Sequence, residues 1–80
     1  MRAAPSREAL ALLSEREQEV LRLVLAGKPS RQVAVELAIS VKTVEFHRSN
    51  VMEKMGVDSV AELVQLTLGF SLMEQAGPQG

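Results

Sequence analysis

The chain lacks most of the residue types that build disulfides, metal sites and catalytic centres. It contains no cysteine, tryptophan or tyrosine, and one histidine among 80 residues. Without cysteine, neither a disulfide framework nor a thiolate metal site can stabilise the fold. Every nucleophile–base pair would have to use the single imidazole, His47, which also cannot form a zinc site alone. We therefore expect no enzymatic activity, no cofactor and no metal.

Long apolar runs are also missing. The apolar stretches are only a few residues long, whereas a membrane-spanning helix needs about 20. The N-terminal segment is charged and has no apolar core of the kind that a signal peptide requires. These absences predict a soluble, cytoplasmic protein with no membrane contact.

The residues that are abundant favour helices. Hydrophobic residues make up 46% of the chain and aromatics only 2%, so leucine, valine, alanine, isoleucine and methionine must form the core. A domain of this size buries only about 60% of its unfolded surface, which leaves room for one modest core. Many of these residues are good helix formers. The composition therefore predicts an all-α domain.

The charges are unevenly distributed, although the net charge is −1. Residues 28–54 hold five basic and three acidic side chains, a net charge of +2. Residues 55–80 hold three acidic side chains and no basic one, a net charge of −3. The middle of the chain is thus the electropositive part, which alone is weak evidence for a nucleic-acid partner.

Four helices are predicted from capping residues and glycine stops. Ser14 with Glu17, and Ser59 with Glu62, match the capping box that satisfies free amides at a helix start. The predicted helices run from the Ser14 cap to Ala26, from the Ser30 cap to Leu37, from the Ser40 cap to Met55, and from the Ser59 cap to Gly69. In the last helix Leu66 is predicted to point away from the inward face, which is formed by Val60, Leu63, Val64, Thr67 and Leu68. Residues 1–13 are expected to be a linker-like segment with a disordered start, 14–69 the folded domain, and 70–80 a frayed tail.

The segment 39–56 could at first be a strand, because its opening residues are β-branched or aromatic. On a helical wheel, however, Val44, Val51 and Met55 fall within about 40° of one another. A strand would instead scatter these apolar positions over both faces. The helix is therefore favoured, and its outer face carries Lys42, Glu45, Phe46, Ser49 and Glu53.

A short helix, a tight turn and a longer helix with a polar outer face form a helix-turn-helix unit, which places its second helix in the DNA major groove. Lys42, Glu45 and Ser49 share the face that would meet the bases. Lysine donates to guanine, glutamate accepts from cytosine N4 and serine can do either, while Phe46 could touch a thymine methyl group. A simpler interpretation is that Lys42 and Arg48 pair with Glu45 at a spacing of three residues.

The pattern resembles the LuxR-type helix-turn-helix domain, close to the FixJ-like response-regulator branch. The resemblance covers about residues 13–68 and is carried by matching positions in the first three helices and the turns that follow them: Ser14, Arg16, Glu17, Ala26, Gly27, Ser30, Val33, Ala34, Leu37, Ile39, Ser40, Thr43, Val44, His47, Val51, Lys54 and Met55. It implies a four-helix LuxR-type bundle with its helix-turn-helix motif at about 30–49. It also implies an N-terminal receiver domain that is activated by phosphorylation.

The resemblance also assigns candidate roles to individual residues. The candidates for base contact are Lys42, Glu45, Phe46 and Ser49. Thr43, His47 and Lys54 match family positions that contact phosphates or fix the helix. Further candidates for phosphate contact, beyond the matched positions, are Ser30, Arg31, Arg48, Asn50 and Arg16, of which Arg31 stands at the start of the second helix. The candidates for a dimer interface on the last helix are Val60, Leu63, Leu66 and Thr67. Two residues depart from the common family pattern, since Glu45 and Val60 stand where many members carry lysine and arginine.

These observations predict the DNA-binding output domain of a transcription regulator. Two copies would bind adjacent half-sites on double-stranded DNA, because one recognition helix reads too few base pairs to be selective. RNA polymerase is a further expected partner. One alternative is a helical module that docks on a protein of the transcription machinery. Another is a promoter reader of the sigma-factor kind, which shares the motif.

Overall fold

The computed structural model describes residues 7–75, with the side chains of 8–70. A 3-10 helix comes first and four α-helices follow: 3-10 helix Arg7–Leu12, α1 Glu15–Leu25, α2 Ser30–Leu37, α3 Val41–Met55 and α4 Val60–Gln75. The predicted all-α, four-helix architecture is confirmed, and residues 7–75 contain no strand. No helix within this range is long and apolar enough to cross a bilayer.

Local capping chemistry sets the starts of α1 and α3. The Glu17 amide donates to Ser14 Oγ at 3.1 Å, and the Ser14 amide donates to Glu17 Oε1 at 2.9 Å, which completes the predicted capping box. The Thr43 amide donates to Ser40 Oγ at 3.0 Å. At the other end of α3, Gly56 has a φ of 71°, a left-handed conformation that glycine adopts without strain.

Two other predicted caps differ in detail. Ser30 is the first residue of α2 rather than its cap, since Pro29 precedes the helix and makes no side-chain capping bond. At the start of α4, the Glu62 amide donates to Ser59 Oγ at 3.1 Å, as predicted. The Glu62 carboxylate, however, accepts from the Asp58 amide at 3.1 Å, so the reciprocal bond is made one residue earlier than in a standard capping box.

The core lies where α1, α2, α3 and α4 meet. Val44, Val51 and Met55 are at most 2% exposed, which confirms the apolar face that the wheel predicted for α3. Their fully buried neighbours come from the other helices: Val20, Val33 and Leu63. The buried side of α3 therefore anchors the helix and leaves its opposite side free.

The segment before α1 belongs to the folded domain. It was expected to be part of a linker through residue 13, but Ala9 and Leu13 are 2% and 5% exposed and pack in the core. Leu10 packs against the same cluster. The 3-10 helix is too short to be stable alone, and this burial holds it in place. The expected disorder of residues 1–5 falls outside the described residues.

The last helix is longer than predicted. Gly69 was expected to end it, yet α4 continues through Gly69 to Gln75. A glycine inside a helix costs only about 1 kcal/mol relative to alanine, and Phe70 offsets this by packing against the core. The predicted inward position of Leu68 is also wrong, because this side chain is 58% exposed. The frayed tail predicted from residue 70 is thus helical to residue 75, and residues 76–80 fall outside the described residues.

Candidate nucleic-acid interface

The turn between α2 and α3 is short and tightly bonded. Ala38 adopts a left-handed conformation, with a φ of 57°, and ends α2. The Ile39 amide donates to the Ala34 carbonyl at 3.0 Å, which closes the turn. Ser40 then caps α3 at once, so the two helices are joined by three residues with defined geometry. This arrangement is the helix-turn-helix unit that the sequence predicts.

The four predicted base-contacting residues lie together on the outer side of α3. We name this set, Lys42, Glu45, Phe46 and Ser49, the reading face; all four are exposed, Phe46 at 63%. Within residues 7–75, neither Lys42 nor Glu45 forms an ion pair. The simpler interpretation, in which Lys42 and Arg48 pair with Glu45, is therefore not what the structure shows. These polar groups remain available to an external partner.

His47 sits at the edge of the reading face and is half-buried. Its ring contacts the Phe46 ring, with centroids 5.8 Å apart and planes tilted by 59°. Its Nδ1 atom is buried and has no hydrogen-bond partner in the described part of the chain. A proton on Nδ1 would lack an acceptor there, whereas Nε2 is the second ring nitrogen at which an imidazole can carry a proton. Nε2 is therefore the atom that could donate to a phosphate.

Two of the residues predicted to contact phosphates, Arg48 and Ser30, are hydrogen-bonded to each other. Arg48 Nη1 donates to Ser30 Oγ at 2.8 Å, which ties the first residue of α2 to the middle of α3. Arg48 is thereby half-buried and helps to fix the angle between the two helices. Arg31, the next residue of α2, is exposed and has no ion pair among residues 7–75. Arg31 is thus the cation of α2 that is free to meet a phosphate.

Thr43 and Asn50 are both half-buried on α3. Thr43 lies in the first turn, where its Oγ1 is 2.9 Å from Ser40 Oγ. Because a hydroxyl both donates and accepts, this contact leaves Thr43 with further bonding capacity toward a phosphate. The structure places both residues beside the reading face, as a phosphate-contacting role requires.

Lys54 and Arg16 lie elsewhere and are engaged within the molecule. Lys54 Nζ is 2.7 Å from Glu17 Oε1 and donates to the Leu12 carbonyl at 3.3 Å. It lies about 18 Å along the helix axis from Lys42, at the far end of α3. Arg16 pairs with Glu19 at 3.3 Å on the surface of α1. The ion pair with Glu17 gives Lys54 the helix-fixing role, one of the two roles that the resemblance implies for it.

Glu17 is a buried carboxylate, and Lys54 is its ion-pair partner. Its side chain is 7% exposed, and its carboxylate accepts from both the Ser14 amide and Lys54. Burial alone would raise the pKa of Glu17, but the bonds from Lys54 and Ser14 and the charge of Lys54 outweigh it and lower the pKa. The sequence identified Glu17 only as a cap, because Lys54 lies 37 residues away and no local pattern connects the two.

The lowered pKa of Glu17 predicts a specific loss of stability in acid. The stabilisation is complete above about pH 4.5, the ordinary value, and disappears as the pH falls through the lower pKa of the folded state. We expect the free energy of unfolding, measured in urea from pH 6 to pH 3, to fall less steeply in Glu17→Gln than in wild type. Glu15→Gln, an exposed neighbour, serves as the control and should keep the wild-type slope. Equal slopes for wild type and Glu17→Gln would contradict this assignment.

The predicted dimer-interface residues on α4 are not equally accessible. Leu63 is 1% exposed and belongs to the core, so it cannot contact a partner without unfolding. Val60 and Leu66 are half-buried and pack against the same core, although Leu66 was expected to point away from it. The Thr67 hydroxyl donates to the carbonyls of Leu63 and Val64 within the helix. Among the side chains of α4 that the structure describes, residues 60–70, the exposed large hydrophobic one is Leu68, which the sequence placed inward.

Comparison with known families gives one clear match. Residues 11–67 match the family of bacterial regulatory proteins described as luxR. Over 62 residues the chain is 50% identical to the transcriptional regulatory protein FixJ of Rhizobium meliloti, covering 78% of this chain and 30% of FixJ. It is 39% identical to the oxygen regulatory protein NreC of Staphylococcus aureus over 71 residues, which cover 89% of this chain and 33% of NreC.

Solved structures give a consistent picture. The response regulator StyR superposes with a TM-score of 0.75 at 42% identity, covering 78% of this chain and 31% of StyR. Full-length FixJ from B. japonicum superposes with a TM-score of 0.71, also at 42% identity, covering 75% of this chain and 30% of FixJ. The chain thus spans about a third or less of the length of these relatives.

Proposed function

Because this chain belongs to the luxR family of bacterial regulatory proteins, we propose that α3 enters the major groove of double-stranded DNA with the reading face toward the base edges. Family membership makes it a DNA-binding output domain of the kind found in response regulators, and we propose that it has no enzymatic activity. The observation that carries the proposal is the reading face itself. Its four exposed side chains lie on one side of a helix whose opposite side is anchored in the core.

The phosphate contacts in this proposal come from both helices of the motif. Arg31 at the start of α2 is exposed, and a helix start attracts anions through its free amides. Thr43, His47 and Asn50 flank the reading face on α3. Ser30 and Arg48 act together, since the Arg48–Ser30 bond holds α2 in place beside α3. Such contacts fix the position of the protein on the duplex, while the reading face supplies the sequence preference.

We propose that the protein acts as a dimer on adjacent half-sites. One recognition helix contacts too few base pairs for selective binding, and paired half-sites solve this problem. Leu68 is exposed on α4, and the half-buried Val60 and Thr67 lie on the same helix. This part of α4 is the proposed contact between copies. Leu63 and Leu66 would hold this part of α4 in position by packing in and against the core.

The whole protein is proposed to be a cytoplasmic two-component response regulator, in which a receiver domain precedes this output domain and RNA polymerase is a further partner. The length of the relatives and their description as response regulators support this architecture. In the proposed mechanism, the receiver blocks α3 or α4 until it is phosphorylated. This block by the receiver is tested by comparing the DNA affinity of the full-length protein before and after phosphorylation. Equal DNA affinity in both states would exclude a block of α3 or α4 by the receiver.

A salt titration tests DNA binding against the alternative of protein docking. Neutralising phosphates releases counterions, so the logarithm of the binding constant falls linearly with the logarithm of the salt concentration. We expect a steep fall in the fluorescence anisotropy of a labelled duplex mixed with the domain as salt increases. Arg31→Ala should reduce the slope of this salt dependence, whereas Arg22→Ala, which removes the same charge from an exposed position on α1, should not. If the domain does not bind the duplex even at low salt, the alternative of a module that docks on a protein is favoured.

A further inference from the structure

The reading face contains a carboxylate, and this is its most restrictive feature. Glu45 is exposed and has no ion pair within the described residues. Two cations stand three residues from Glu45 on the same helix. Lys42 forms no ion pair within the described residues, and Arg48 is already bonded to Ser30 at 2.8 Å. The carboxylate therefore reaches the DNA without an internal partner to neutralise it.

A carboxylate can only accept hydrogen bonds, and this limits the bases it can face. In the major groove, guanine presents two acceptors and thymine presents an acceptor and a methyl group. The only donors there are exocyclic amines, N4 of cytosine and N6 of adenine. A charged group that loses its water without finding a donor is strongly disfavoured. Glu45 is therefore incompatible with guanine or thymine at the base edge it faces.

Phe46 makes this restriction stronger. Phe46 follows Glu45 directly and is 63% exposed. Its ring contacts the His47 ring, with the two centroids 5.8 Å apart. Once the helix enters the groove, this ring displaces water from the neighbourhood of the carboxylate. A water molecule then cannot replace the missing donor as easily as it could beside a polar side chain.

We propose that Glu45 is a specificity-determining residue that requires an exocyclic amine, and that methylation of this amine prevents binding. The inference rests on the proposed function. One hydrogen of each amine pairs with the opposite base, and the other points into the major groove. In a paired N4-methylcytosine or N6-methyladenine the methyl group occupies that second position. Glu45 then meets a methyl group where it needs a donor, so the regulator distinguishes methylated from unmethylated sites.

The first step of the test identifies the base that depends on Glu45. The 80-residue chain is used to select duplexes from a pool with a randomised centre, in parallel with Glu45→Ala and Glu53→Gln. Glu53 is exposed on the same helix about 12 Å further along, so its variant controls for the loss of one negative charge. We expect the wild-type and Glu53→Gln motifs to share one cytosine or adenine per half-site that Glu45→Ala no longer requires.

The second step measures binding to the selected duplex with and without a methyl group on that amine. N4-methylcytosine or N6-methyladenine is used according to the base selected. We expect wild type to lose about tenfold or more in affinity on methylation, and Glu45→Ala to lose much less. An unchanged motif in Glu45→Ala, or no effect of methylation on wild type, would overturn the inference while leaving DNA binding intact. If wild type selects no motif, the proposed function fails and the inference fails with it.

Discussion

Replacing Lys42 with alanine is expected to weaken binding to the selected DNA site by about 10- to 100-fold, which is about 1–3 kcal/mol for a lost base contact. Lys42 lies in the first turn of α3, where residues approach the base edges most closely. It is exposed and has no ion pair within residues 7–75, so its removal should not disturb the fold. Anisotropy titrations with the selected duplex measure the loss, and thermal unfolding checks the fold.

The matched control for Lys42→Ala is Arg22→Ala. Arg22 is exposed on α1, so this variant removes one positive charge from outside the helix-turn-helix unit. If Lys42 contacts a base, Arg22→Ala should keep most of the affinity, and Lys42→Ala should also relax the preference at one position of the motif. Similar losses in both variants would mean that Lys42 contributes only to the overall charge.

The second large effect is expected at Leu63, and it concerns stability. Leu63 is 1% exposed, so Leu63→Ala should leave a cavity and lower the free energy of unfolding by about 3 kcal/mol. For a domain of this length the total is roughly 5–10 kcal/mol, so the loss is severe. Urea unfolding at a protein concentration too low for dimers measures it. A small loss there would mean that Leu63 is not part of the monomer core.

Leu68→Ala provides the matched comparison on the same helix. Leu68 is 58% exposed, so its truncation should change the free energy of unfolding by less than about 0.5 kcal/mol. If α4 forms the dimer contact, the same variant should weaken cooperative binding to paired half-sites. Binding to a single half-site should remain unchanged. Loss of single half-site binding would instead place Leu68 at the DNA or in the fold.

The features that the sequence predicted correctly depend on neighbouring residues. The Ser14–Glu17 capping box, the Ser40 cap and the glycine stop of α3 at Gly56 each need only contacts within about four positions. The exposure of Phe46 follows from the same regularity, because the apolar face of α3 fixes the direction of its outer face. The fold and the reading face were therefore accessible from helical periodicity and capping chemistry.

The features that the sequence missed depend on residues far apart in the chain. The Lys54–Glu17 pair and the Arg48–Ser30 bond join residues 37 and 18 positions apart, and both bonds involve residues predicted as phosphate contacts. Leu63 was offered as an interface residue because periodicity cannot distinguish an apolar face that meets the core from one that meets a partner. The sequence predicts that α4 ends at Gly69, because the low helix propensity of glycine can be recognised from the sequence alone. The packing of Phe70 against the core cannot.

The measurement that tests the central claim most directly is an amide chemical-shift titration of the labelled domain with a short duplex at low salt. We expect the shifts to concentrate at the start of α2 and at residues 41–50, the first two thirds of α3, and to fade as salt rises. Lys54 and Glu17 should change little, because their ion pair lies at the far end of α3. Shifts confined to residues 59–68, with none on the reading face, would contradict DNA recognition by α3.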